Sequence, residues 1–209
     1  MDFGAAMFFT DYSMKPAELG QAIEARGFES LWAPEHSHIP SSRLTPPAGG
    51  GQLGKQYYDV MDPFVTLTAA AMATKTLKIA TGVCLVIQRD TIQTAKLVAT
   101  IDQVSDGRFL FGIGGGWNQD EVESHGTIFK TRFKKMREQI EAMTEIWTKA
   151  EPEYDGEIVN VPKMRTWPKP AQKPRPPVIV GAPSRTAHGA RCATATGGCQ
   201  MRADRHIPM

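Results

Sequence analysis

Glu35-His36-Ser37-His38 concentrates more proton-transfer chemistry than any other stretch of the chain. A histidine titrates at about 6.5 in water, so His36 can take or give a proton near neutrality, with Glu35 beside it as the second candidate catalytic residue. The four residues lie at the carboxyl end of the expected second strand, Ser30 to His36, where open sheets and barrels alike place reactive groups. A structural reading stays open beside the catalytic one: a strand-end cluster that only hydrogen-bonds the long loop after it. His36 and His38 lie on one face of an extended segment, but no third ligand is evident, so no metal is expected.

Gly112-Ile113-Gly114-Gly115-Gly116-Trp117 is the second candidate. It follows a strand and precedes a polar helix start, so Gly115 and Gly116 allow backbone to approach a ligand closely. A dinucleotide fingerprint would need glycine where Trp117 stands, and would sit at the first strand. Asn118, Asp120 and Glu121 read as residues that favour the start of the next helix. Gly82 interrupts an otherwise unbroken strand pattern, a common mark of a bulge or a close contact.

The elements that must position these residues alternate. Phe3 to Phe9 reads as a strand, Pro16 to Arg26 as a helix with Gly27 to end it, and Ser30 to His36 as the second strand. Asp62-Pro63 opens a helix to about Ala73, and Leu77 to Ile87 reads as one strand covered on both faces. Asp90 with Gln93 has the form of a capping box for a helix to Gln103, Asp106-Gly107 is a turn, and Arg108 to Gly114 is the fourth strand. Phe133, Met136, Ile140, Met143 and Trp147 step along a long helix as a core stripe. A small hairpin around Asp155-Gly156, a proline-rich connection and the short strand Val178 to Val180 follow. Alternating strands and helices mean a parallel sheet, either open and doubly wound or closed as a barrel. The segment from Ile39 to Met61 is a long loop of the kind that carries function.

The whole chain has 209 residues, 41% of them hydrophobic and 22% charged, enough for one substantial core. A formal net charge of +2 gives no electrostatic reason to expect nucleic acid, and no apolar run approaches the roughly 20 residues that cross a bilayer. Without a signal-like start, and with only three cysteines, the chain is expected in the cytoplasm. Residues 182–209 differ from the rest: Ile207 is their only Ile, Leu, Val or Phe, and they contain no aromatic side chain. They read as a disordered tail after a folded unit of residues 1–181, and their Cys192, Cys199, His188 and His206 match no ordinary zinc spacing.

Taken in order, Gly27 to His36, Ala80-Thr81-Gly82-Val83, Ser105 to Phe109, Gly112 to Trp117 and Trp167-Pro168-Lys169-Pro170 resemble the bacterial-luciferase-like flavin and deazaflavin oxidoreductases, closest to the coenzyme F420 branch. The resemblance covers residues 2–181. It implies a TIM (β/α)8 barrel, here incomplete with five of its strands, and a redox ring held at the strand tips. A non-prolyl cis peptide in the third strand, matched by Gly82-Val83, is implied to support that ring, with Glu35 and His36 beside it. The resemblance fails at Trp117, which stands where some deazaflavin dehydrogenases carry a glutamate, so sugar-phosphate dehydrogenation is not expected. It implies hydride transfer between F420 and a small organic substrate, with a homodimer as assembly. FMN-dependent monooxygenation and a non-catalytic fragment acting by association are the alternatives. A barrel of this type takes about 250 residues, so the break near Ala182 is read as a frameshift or early stop that leaves activity in doubt.

Overall fold

The computed structural model describes residues 3–47 and 50–181. Five parallel strands, β1 (Gly4–Ala6), β2 (Ser30–Ala33), β3 (Lys78–Thr81), β4 (Phe109–Ile113) and β7 (Val178–Val180), pair as β1-β2-β3-β4-β7. The helices between them are α1 (Pro16–Glu24), the short α2 (Gln56–Asp59), α3 (Pro63–Met72), α4 (Thr91–Val104), α5 (Gln119–Ser124) and α6 (Arg132–Thr148). A two-stranded hairpin, β5 (Tyr154–Asp155) with β6 (Asn160–Val161), follows α6.

The strand order decides between the two architectures. A doubly wound sheet reverses direction at a switch point, whereas here each parallel strand of the sheet lies beside the one before it. The order is that of a TIM barrel, of which the described residues carry five strands. Among the described residues, no helix is long and apolar enough to cross a membrane. The expectations for residues 182–209 lie outside the described residues.

Local signals set the helix starts. Asp62 accepts from the amides of Phe64 and Val65, and Asp90 from that of Gln93, each satisfying donors that a first turn leaves open. Gly27 takes φ +75° with nothing near its missing side chain, as a helix-ending glycine does. The buried layer between sheet and helices holds Leu31, Ile79, Phe109, Phe111, Met143 and Trp147, and the Trp147 indole donates to the Ala95 carbonyl at 3.0 Å.

Four expectations need correction. The first strand does not run from Phe3 to Phe9 but is confined to Gly4–Ala6, with Met7 N–H donating to the Trp32 carbonyl just beyond it. The third strand does not run from Leu77 to Ile87 but ends at Thr81, and Val86–Gln88 is a 3₁₀ turn. Beyond Thr81, Cys84 still bridges to Ile113 of β4, its N–H donating to Gly112 and its carbonyl accepting from Gly114 N–H, whereas Leu85 N–H turns to the Glu35 carboxylate. The second strand stops at Ala33 because Pro34 has no amide to donate. Phe133 does not join the core stripe. It is 49% exposed and lies against Gly115.

Glu24 joins the amino edge of β3 to α1. One carboxylate oxygen accepts from the amides of Lys75 (2.9 Å), Thr76 (2.6 Å) and Leu77 (2.8 Å). These bonds, led by that from Thr76, hold the carboxyl down at about 2 against the opposing effect of burial. A depressed carboxylate stabilises the fold above its ordinary pKa, and that contribution is lost as pH falls from about 4.5 toward 2. Glu24→Gln is expected to cost about 1 kcal/mol at neutral pH, because the site is solvent-screened, and to flatten the acid limb of stability. Urea melts of both chains from neutral pH down to pH 3 measure this, and parallel acid limbs would contradict it.

Candidate functional site

The carboxyl ends of β2, β3 and β4 lie side by side, which brings His36, Val83 and the Gly114–Trp117 turn to one end of the sheet. Its floor is Trp32. A side chain at Gly4 would meet the Trp32 Nε1 at 2.8 Å, one at Gly82 its Cβ at 3.1 Å, and one at Gly112 its Cζ3 at 3.3 Å. Three glycines on or after neighbouring strands thus make room for one indole, whose N–H donates to Ser30 Oγ at 2.8 Å. The Gly82-Val83 peptide is cis. Val83 is half-buried, and Gly114 and Gly181 border it so tightly that a side chain at either would meet a Val83 methyl within 3 Å. The glycine against Val83 is therefore Gly114. Gly115 lies under the Phe133 ring, and Gly116, at φ +68°, sits over Val122.

His36 is paired. Its Nδ1 lies 2.9 and 3.0 Å from the two oxygens of Glu121, and the side chains are 8% and 1% exposed. Tyr57 and Trp117 wall the imidazole, with ring centres at 5.4 and 6.1 Å, and Phe8 stacks on Tyr57 at 4.9 Å. A carboxylate on Nδ1 keeps a proton there in the neutral ring and leaves Nε2 as the acceptor. If Nε2 gains a proton, the same carboxylate stabilises the resulting cation.

Sequence reasoning missed Glu121. As the third residue after Asn118 it fits a capping box, and that pattern hides its reach to a strand tip 85 positions away. Asn118 in fact makes no side-chain cap. Asp120 is likewise turned to the long loop, where it accepts from Ser42 Oγ (2.6 Å) and Leu44 N–H (3.1 Å). The α5 start thus holds both the histidine and the loop that flanks it.

Glu35 has other partners. One oxygen accepts from Leu85 N–H at 2.6 Å and the other from Arg89 Nε at 2.5 Å. Arg89 also reaches Asp62 at 2.5 Å, the residue that caps α3. Burial alone would lower the Arg89 guanidinium, but Glu35, helped by Asp62, offsets it and leaves the pKa above the ordinary value. Burial, with Glu35 adding to it, pushes the Cys84 thiol up, so Cys84 is not a nucleophile here. A hollow of about 160 Å³ beside this ion pair is lined by Glu35, His36, Val60, Asp62, Pro63 and Arg89. It is too small for a tricyclic ring.

At the rim, Ser37 Oγ lies 2.9 Å from His38 Nδ1 and 2.7 Å from His125 Nε2, and His38 Nε2 lies 2.9 Å from Ser124 Oγ. Burial, then the neighbouring His38, lowers the His125 pKa. Among the described residues, no three of His, Cys, Asp and Glu gather as metal ligands do.

Comparison with known proteins adds the following. A family model described as luciferase-like monooxygenase matches residues 15–197. An uncharacterized protein of Mycobacterium tuberculosis is 40% identical over 185 residues, which is 87% of this chain and 65% of that one. Two solved structures share the fold at low identity. The oxygenating constituent of 3,6-diketocamphane monooxygenase from Pseudomonas putida, in complex with FMN, has a TM-score of 0.68 at 18% identity over 86% of this chain and 51% of that one. The coenzyme F420 dependent tetrahydromethanopterin reductase of Methanopyrus kandleri has 0.66 at 22% identity over 87% and 50%. The chain therefore spans about two thirds of the mycobacterial relative and half of each solved chain.

Proposed function

The chain belongs to the luciferase-like monooxygenase family, and from that premise we propose that its strand tips hold a flavin-type ring, deazaflavin F420 in the first instance, against a small organic substrate. The observation that carries this reading is the buried His36–Glu121 pair, walled by two aromatic rings at the open end of the sheet.

The residues present fit such a ring. Val83, flanked by Gly114, offers a half-buried apolar surface, and Trp32 closes the floor beneath Gly82. Tyr57 and Trp117 supply flat apolar walls. The ring, when bound, supplies two-electron transfer. His36 Nε2 takes or gives the proton that accompanies it, and Glu121 holds the imidazole in the tautomer that leaves Nε2 free for this. Glu35 acts as a positioning residue. Through Leu85 N–H and Arg89 it fixes the backbone two residues beyond Val83, while Trp32, Tyr57 and Trp117 exclude water.

Relatives with this fold include one in complex with FMN and one dependent on F420, so competition decides the coenzyme. Titrating the chain with F420 and with FMN, each followed by its own fluorescence, is expected to give micromolar binding of F420, displaced only weakly by FMN. Tighter FMN binding would move the reading to monooxygenation. No fluorescence change for either coenzyme at millimolar concentration would overturn it. The assembly we propose is a homodimer, because α3 carries no charged residue and exposes Val65 and Met72 (71% and 68%), a self-compatible face. Light scattering measures its mass.

A further inference from the structure

Arg132, the first residue of α6, borders the surface just described and has no use in it. Its guanidinium lies over two rings, with Cζ 3.6 Å from the centre of Phe129 and 4.3 Å from that of Phe133. Nη1 donates to the Phe129 carbonyl at 2.8 Å. Nε is buried and has no partner among the described residues. Of the neighbouring cations, Lys134 pairs with Glu157 and Arg137 with Glu141, while Arg132, like Lys130 and Lys135, makes no salt bridge among the described residues.

The position is specific. A side chain at Gly114 would meet Val83 Cγ2 at 2.6 Å, and one at Gly115 would meet Phe133 Cε1 at 2.5 Å. Val83, Gly114, Gly115 and the half-exposed Phe133 therefore form one continuous surface, and Arg132 stacks on its last ring. Stacking fixes the planar fork before any ligand arrives, so little side-chain entropy is lost when it closes on an oxyanion. Removing a guanidinium from water without an opposing charge is costly, and here burial lowers its pKa with nothing offsetting it. Arg89 and Arg108 are instead satisfied by carboxylates or by several carbonyls, while Arg175, which precedes β7, has like Arg132 a single carbonyl partner but stacks on no ring among the described residues.

We propose that Arg132 is an anion-recognition residue at the edge of the ring surface, where it takes a carboxylate or phosphate group presented by whatever occupies that surface. The proposal rests on the functional reading above for its location. The anion can be carried by the coenzyme or by the substrate, and the test separates the two.

The measurement is the nitrogen-15 signal of the Arg132 Nε–Hε group in the whole chain, assigned by its loss in Arg132→Lys. Inorganic phosphate and acetate are each expected to shift it saturably. FMN and riboflavin, which differ by one phosphate, then locate the source. If the coenzyme carries the anion, FMN binds about ten- to a hundredfold tighter than riboflavin, and Arg132→Gln removes the difference. If the substrate carries it, FMN and riboflavin bind alike in both chains, and acetate or phosphate still shifts the Arg132 signal with coenzyme bound. Failure of riboflavin, FMN and F420 all to bind sinks the functional reading while leaving the ion titrations to decide this one. An Arg132 signal unmoved by phosphate, acetate and FMN up to tens of millimolar overturns the proposal, provided thermal melting shows the chain folded.

Discussion

His36→Asn is expected to bind its coenzyme as the parent chain does and to lose turnover by about 10²–10⁴-fold, measured as oxidation of reduced coenzyme with an accepting substrate. Asparagine is the informative replacement. Its side-chain N–H stands near the place of Nδ1 and still donates to Glu121, which is 1% exposed and would otherwise be a buried charge without a partner. What asparagine lacks is a basic nitrogen at the position of Nε2. The loss then reports the missing proton acceptor rather than a collapsed site, and melting curves of the two chains should coincide closely. Glu121→Ala is expected to lose turnover too, but by a different route, since the imidazole is left free to change tautomer and to rotate. Nitrogen-15 shifts of the His36 ring separate the cases: Nδ1–H in the parent, a mixture of tautomers in Glu121→Ala. Full turnover in His36→Asn would remove His36 from the chemistry.

The largest effect on stability is expected from Gly112→Ala. An added Cβ would sit 2.0 Å from the Thr81 carbonyl oxygen and 3.3 Å from the Trp32 ring. Neither can yield. The carbonyl belongs to backbone that pairs with β4 on one side and β2 on the other, and Gly112 O itself accepts from Thr81 Oγ1 at 2.7 Å. Forcing these strands apart should cost about 3 kcal/mol or more, enough to depress soluble yield as well as the melting temperature. Gly27→Ala is the control. Nothing lies within 4 Å of its missing side chain, so only its positive φ resists, at about 1 kcal/mol. Similar urea midpoints for the two variants would show that Gly112 is not tightly enclosed.

Features decided by neighbours in sequence were legible in the sequence. Asp62-Pro63 and Asp90 open their helices because a side chain reaches an amide two or three residues on. The His36 tip was legible for the same reason, as a histidine next to the end of an apolar run. The apolar continuity of Leu77 to Ile87 misled, because burial alone does not tell a strand from a 3₁₀ turn. The choice was made by Glu35, which takes the amide of Leu85 just past the bridge of Cys84 to β4. Phe133 has correct helical spacing for the core, yet it starts the helix at the sheet's open end, where Gly115 leaves space for it. Glu121 was the largest omission. Its partner is distant in sequence, and its local pattern has a sufficient local explanation. Barrel closure also exceeded the reach of strand and helix alternation, because both architectures share that pattern. Strand order and family resemblance separate them.

The central claim is that a flavin-type ring lies on the surface of Val83 and Gly114, within reach of His36. Nuclear Overhauser contacts between the ring protons of bound F420 or FMN and the Val83 methyl groups test it most directly. Strong contacts to Val83, together with weaker ones to the His36 imidazole, are the predicted result. Saturating binding with ring contacts confined to other side chains would contradict it.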